Sequence, residues 1–253
     1  MRQPYRSGWA ACIPEMMPLY YAWLEASGAH DHAEAEEAFL KSGGDKMSGD
    51  IQRITTTEEL EQIYGVPAQP SVIKVVDHIH AAYRPFIEMS PFVALATCGL
   101  SGLDVSPRGD PAGFIHIEDE KTLLLPDRRG NNRIDSLKNI LNDPRVALLF
   151  LIPGIGETLR VNGEAEISIE PDLLARFAVN GNKPRTVLRI KVESVFFQCS
   201  RAIIRAQLWD PAARITRNQL PSTGSILKAL SQSAIDGDAY DKALPERIKN
   251  TLY

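Results

Sequence analysis

Apolar and polar positions divide this chain into three stretches. Between residues 92 and 195 the apolar side chains come in short runs, several with period two, as strands half-buried in a sheet require. The runs 92–97 and 103–106 flank the turn Cys98-Gly99-Leu100-Ser101-Gly102, and 114–117 and 122–125 flank Glu118-Asp119-Glu120-Lys121. Residues 145–152 read as a strongly apolar strand that Pro153-Gly154-Ile155-Gly156 turns. Residues 158–169 alternate, with Gly163 placed to make a bulge, and 186–195 alternate again before a mixed segment over 196–209. Only two stretches here have helical character: 133–142, where Ile134, Leu137, Ile140 and Leu141 share a face, and 172–179 with Pro171 at its start. This order predicts a mainly β domain, an antiparallel barrel, with flanking helices.

The leading helices are expected over 55–63, entered at Thr57 with Glu58 and Glu59 in the first turn, and over 71–89, where Val72, Val75, Val76, Ile79 and Tyr83 form a stripe that Pro85 ends or kinks. Two more helices trail, one over 226–230 capped by Ser222 and Thr223 and one over 240–253. The predicted domains are an N-terminal extension over 1–50, helical or disordered, a barrel domain with two leading helices over 51–210, and a helical tail over 211–253 packed on the barrel. Within the extension, 16–24 and 31–40 read as helices and Ser42-Gly43-Gly44-Asp45 as a linker. It is either a true appendage or lies upstream of a start at Met47.

Charge and cysteine content narrow the function classes. The chain has 28 basic and 32 acidic residues in 253, net −4. The extension holds Arg2, Arg6, Lys41 and Lys46 against eight carboxylates, so the remainder is neutral and lacks the basic surface that nucleic acid needs. Cys12, Cys98 and Cys199 are far apart and form no C-x-x-C pair, which suits reduced thiols in a cytoplasmic protein. No apolar run approaches the roughly 18 residues of a membrane span, and no signal peptide is expected. His30, His32 and Glu34 have the composition of a metal site, but i and i+2 do not face one another on a helix, so no metal is expected. His78 and His80 are poor joint ligands for the same reason.

The stretch 105–144 carries the candidate chemistry. Arg108, Arg128, Arg129 and Arg133 crowd its loops, and the turn RRGNNR opens the helix at 133–142. Free N–H groups and the positive end of a helix dipole beside arginines make a site for a phosphate or another anion. The turn lacks the glycines and the Lys-Ser/Thr pair of a Walker loop, and no G-x-G-x-x-G follows a strand. Arg128 reads as a solvated turn residue. Asn131 and Asn132 read equally well as turn and cap residues, and Trp209 as packing.

The segments DVSPRGDPAGF, LLLPDRRGNNRIDSLKNIL, NDPRVALLFLIPGIGETLRVNGEAEIS and QCSRAIIRAQLWDP resemble the pyridoxamine 5'-phosphate oxidase-like FMN-binding split-barrel superfamily, and within it a group of uncharacterised FMN-dependent enzymes. The resemblance spans about residues 53–253. It implies a six-stranded antiparallel split barrel, a homodimer with FMN at the subunit interface, and an FMN-dependent oxidoreductase acting on a small molecule. Carried over, Val105, Ser106, Pro107 and Arg108 would run along the isoalloxazine ring. Pro126 and Asp127 would near the ring or ribityl chain, and Arg129, Asn132 and Arg133 would hold the phosphate. Gln198, Arg201 and Arg205 fall where the family supplies groups from the second subunit, although Arg201 and Arg205 suit a dimer seam equally well. Asp135 and Ser136 stand where the oxidase proper has an Arg-Lys pair, and its C-terminal substrate-phosphate residues are not recognisable, which argues against vitamin B6 as substrate. A non-catalytic flavin-binding or sensing protein and a deazaflavin-dependent reductase are the alternatives. The fold also hosts haem-degrading proteins, but His116, the one core histidine, sits on an alternating strand where packing accounts for it.

Overall fold

The computed structural model describes residues 53–253, and the expectations for the extension, including His30, His32 and Glu34, lie outside the described residues. The chain falls into two units, 1–66 and 67–253. The described part of the first is helix α1, Thr57–Tyr64. Its N-cap is Thr56, one residue before the expected entry. The Thr56 hydroxyl accepts from Glu59 N–H and the Glu59 carboxylate reaches back to Thr56 N–H, a reciprocal capping box.

The second unit begins with α2, Gln69–Ile73, and α3, Arg84–Glu88. The expected single helix over 71–89 is therefore two short ones. The stripe Val72–Tyr83 has helical spacing, but the backbone between is drawn to the sheet: Val76 exchanges hydrogen bonds with Val195, and Ile79 N–H donates to Glu120 O. Pro85, expected to end a helix, instead lies in the first turn of α3, where its missing N–H costs nothing.

Seven strands follow rather than six: β1 Phe92–Gly99, β2 Gly102–Gly109, β3 His116–Asp119, β4 Thr122–Asp127, β5 Arg145–Leu151, β6 Thr158–Ser168 and β7 Thr186–Gln198. Helix α4, Asp135–Asn142, lies between β4 and β5, and α5, Pro171–Arg176, between β6 and β7. After β7 come α6 Arg201–Arg205, α7 Thr223–Leu230 and α8 Gly237–Thr251. The strands form one antiparallel sheet in the order β2-β1-β5-β6-β7-β4-β3. Val93 and Leu95 on β1, Leu148 and Phe150 on β5, Leu159 and Val161 on β6, and Leu188 and Ile190 on β7 meet in one core with Leu123 and Leu125 of β4. The sheet thus curls around its own apolar face, as a barrel does. Its other face is covered where α5 lies: Leu124 and Val187 pack with Leu173 and Phe177.

The bulge expected at Gly163 is present. Register shifts there because Asn162 pairs with Ser194 and Gly163 with Val192, leaving Glu193 as the extra residue on β7. The inward phase of β7 changes accordingly, from Leu188, Ile190 and Val192 to Val195. A Cβ at position 163 would collide with the Lys191 carbonyl oxygen, so only glycine allows the strands to approach this closely.

Candidate functional site

Edge strand β2 and the end of β4, which β3 leaves unpaired beyond Leu124, are bridged without a strand ladder between them. The gap is held by side chains. Arg108 on β2 donates from Nη1 to Asp127 at the end of β4, at 2.6 Å. Arg128, the next residue after β4, donates from Nε to Asp110, the residue after β2, also at 2.6 Å. The pairs are reciprocal: each side of the gap supplies one arginine and one aspartate. Both are largely withdrawn from water, with the Asp110 side chain only 3% exposed. Arg128 also donates to Phe177 O, and its guanidinium lies 5.7 Å from the Tyr253 ring centroid. Arg128 is therefore no solvated turn residue. Its fixed fork serves a carboxylate, a carbonyl and an aromatic face at once. Sequence spacing gives no sign of this, because Asp110 and Tyr253 are brought to it by the fold.

Over this gap opens a cleft of about 700 Å³. Its walls are β2 from Asp104 to Gly109, the end of β4, the turn 128–134, the first residues of α4, and Arg185-Thr186 at the start of β7. It brings together Val105, Ser106, Pro107, Arg108, Pro126, Asp127, Arg129, Asn132 and Arg133, nine of the residues singled out from sequence. Arg185 and Thr186 also line it and are missed by sequence reasoning, because they lie more than fifty residues from the turn they face. Arg185 donates to Asn132 Oδ1 at 3.2 Å.

Locally, the turn departs from the expected helix start. Asn132 and Ile134 both have positive φ, at 60° and 53°, so the helix begins at Asp135 and Arg133 stands outside it. Asn131 Oδ1 accepts from Arg133 N–H, which is a turn role. No side chain caps α4, leaving N–H groups of its first turn unclaimed, yet Asp135 brings a carboxylate to that end. Arg133 is bonded to Asp135 at 2.7 Å, which raises the guanidinium's already high pKa. An incoming anion competes with Asp135 for Arg133. Ser136 is buried in the same turn, with its hydroxyl 3.3 Å from Asp104.

The electrostatic balance of the cleft follows from these pairings. Arg108, Arg128 and Arg133 each hold an aspartate; Arg129 and Arg185 have no carboxylate partner among the described residues. Two further groups fit a polar guest. Arg108 Nε and Thr186 Oγ1 are buried without a hydrogen-bond partner in the structure, each a deficit of about 1–3 kcal/mol if it stays unmet. A polar, anionic molecule of nucleotide size suits this donor set and volume.

Gln198, Arg201 and Arg205 do not line the cleft. Gln198 is at the far end of β7 from Thr186, roughly 40 Å of strand away at 3.3 Å per residue, and the two arginines follow on α6. Neither arginine forms an ion pair among the described residues. Trp209 donates from Nε1 to Ile155 O at 2.7 Å, a packing role. His116 stacks on Phe177 with centroids 4.4 Å apart. Burial lowers its pKa, Arg176 lowers it further, and Glu118 partly opposes both. Cys98 and Cys199 are unpaired, and no described helix is long and apolar enough to cross a membrane.

Comparison with known proteins bears on this geometry. The pyridoxamine 5'-phosphate oxidase family profile matches residues 79–199, which contain all seven strands. No curated protein matches the chain. Among solved structures, HupZ of Group A Streptococcus is 20% identical over 48% of this chain and 95% of its own, with a TM-score of 0.40. General stress protein 26 of Bacillus anthracis is 16% identical over 45% of this chain and 88% of its own, at 0.35. An FMN-binding protein of Syntrophomonas wolfei is 12% identical over 55% and 95%, at 0.35. Over residues 79–199, which carry the whole antiparallel sheet, this chain is similar to the pyridoxamine 5'-phosphate oxidase family.

Proposed function

We propose that the chain binds FMN in the cleft between β2, β4 and α4, and works as an FMN-dependent oxidoreductase on a small molecule. The observation that carries this reading is the convergence of nine candidate residues on one cleft in which Arg129 and Arg185 lack carboxylate partners. FMN, when bound, supplies the redox chemistry; the protein supplies binding, orientation and electrostatics. Arg129, with Arg185 and the first turn of α4, would hold the phosphate. Arg133 joins by exchanging Asp135 for it. Val105, Ser106 and Pro107 offer the ring an edge strand whose backbone groups are paired on one side only. Arg108, fixed by Asp127, puts a guanidinium beside that strand.

In this reading the protein is a homodimer, and Gln198, Arg201 and Arg205 serve the partner's cleft, since their own is a strand's length away. A non-catalytic flavin-binding protein is the second reading. It is favoured by the lining itself, which contains no histidine, cysteine, lysine or tyrosine to move a proton. The deciding measurement is the visible absorption spectrum of the purified full chain, with mass spectrometry of whatever heat releases. Flavin bands and released FMN are expected. A colourless protein that also fails to take up added FMN ends the flavin reading. Turnover with NAD(P)H and common acceptors then separates the enzyme from the non-catalytic binder.

A further inference from the structure

Beside the main cleft lies a second pocket of about 390 Å³, lined by Arg128, Arg129, Gly181, Asn182, Lys183, Pro184, Arg185 and Tyr253. It shares Arg128, Arg129 and Arg185 with the cleft, so these arginines form the partition between the two. Its floor is a fixed turn. Val179 and Asn182 exchange backbone hydrogen bonds at 3.0 and 2.9 Å, and Asn180 and Gly181 take the positive φ values, 50° and 79°, that such a turn needs. Buried Pro184 then separates exposed Lys183 from exposed Arg185.

The charges around this pocket are unbalanced. No acid lines it, and Asp110, which reaches two residues of its wall, is already engaged: it accepts Arg128 Nε and the Tyr253 hydroxyl, each at 2.6 Å. Arg128 is thereby neutralised. Arg129, Lys183 and Arg185 have no carboxylate partner among the described residues, and the one side-chain partner Arg185 has is the neutral Asn132. Three uncompensated cations meet at a concave surface with an aromatic wall, in a chain whose acidic residues outnumber its basic ones. Like charges gathered this way repel unless an anion joins them.

We propose that this pocket is a second anion site, taking a phosphate or carboxylate group distinct from the one at the 129–133 turn. Its position beside a flavin rests on the function proposed above, in which Arg129 and Arg185 also face the FMN phosphate; they would then bridge two anions, and Lys183 is the cation that belongs to this pocket alone. The group belongs either to the cofactor, beyond its first phosphate, or to a separate substrate.

Lys183 lines this pocket and not the cleft, so Lys183→Gln isolates it. The test uses the full chain, with inorganic phosphate, FMN and FAD as probes. Calorimetric titration of the FMN-loaded protein should show phosphate binding that weakens at least fivefold in K183Q, with FMN affinity unchanged within twofold. Loss of phosphate binding on FMN loading, equal binding by K183Q and wild type, or no phosphate binding in any form would overturn the proposal. If FAD binds more tightly than FMN by a margin that K183Q erases, the group is the cofactor's. If FAD binds no more tightly while the FMN-loaded protein takes phosphate, it is a substrate's. Phosphate binding to the apoprotein that K183Q weakens, in a protein that does not bind FMN, would end the flavin reading and leave the anion site standing.

Discussion

The middle of the sheet and the gap between β2 and the end of β4 are held by opposite chemistries. Across β1, β5, β6 and β7, backbone ladders run unbroken apart from one bulge, and the inward side chains are Val, Leu, Ile and Phe. Across the gap from β2 to β4 there is no ladder; Arg108–Asp127 and Arg128–Asp110 stand in its place. Aliphatic packing is indifferent to what lies beyond it. A pair of ion pairs at an open seam exposes donors to any guest, and the cleft lies there. On the function proposed above, the seam does two tasks, closure and recognition, with the same residues.

That contrast can be broken most severely from the middle. Phe150→Ala removes a side chain that is 1% exposed and should cost about 4 kcal/mol in urea unfolding, while the folded fraction keeps its FMN affinity. Asp110→Ala strands the Arg128 charge and the Tyr253 hydroxyl, and about 3 kcal/mol is expected for a partner removed from a largely buried pair. Here FMN affinity should fall as well, because the seam shapes the cleft. If D110A destabilises without touching FMN binding, the two tasks are separate. Arg129→Gln sharpens the other side: FMN affinity should drop about tenfold or more, the size of a lost charged hydrogen bond, with the urea midpoint nearly unchanged. The smallest effect concerns His116, against the outer face. Its folded pKa lies below 6.5, so the unfolded chain binds the proton more readily, and stability should decline as pH falls below 6.5 until the folded group itself titrates. In His116→Phe that portion of the acid-side decline should vanish, and an NMR titration of wild type should place His116 below 6.5, rising in Arg176→Gln.

The same contrast explains what could be read in advance. Period-two alternation marks β5, β6 and β7 because their inward positions meet a single apolar core, and Gly163 marks its bulge because a backbone contact excludes any side chain there. The 71–89 stretch misleads because a valine-rich stripe fits a helix face and a segment bridged to a sheet alike, and only the hydrogen bonds Val76 and Ile79 make to the sheet decide between them. Nine of the cleft residues were legible because they lie in two motifs. Arg185 and Thr186 were not, since β7 brings them in from a distant part of the sequence. The pairing of Arg128 was hidden for the same reason: its partners stand 18 and 125 positions away, and no local pattern records a contact of that span.

The hydrogen bond from Tyr253 to Asp110 joins positions 143 apart in the sequence. On the ribosome, β7 is complete at Gln198, when all seven strands exist but the residue that walls the smaller pocket has not been made. The strands that make the barrel and the Tyr253 side of the partition are therefore made at different times, and a cut anywhere between them leaves every strand whole while opening the smaller pocket.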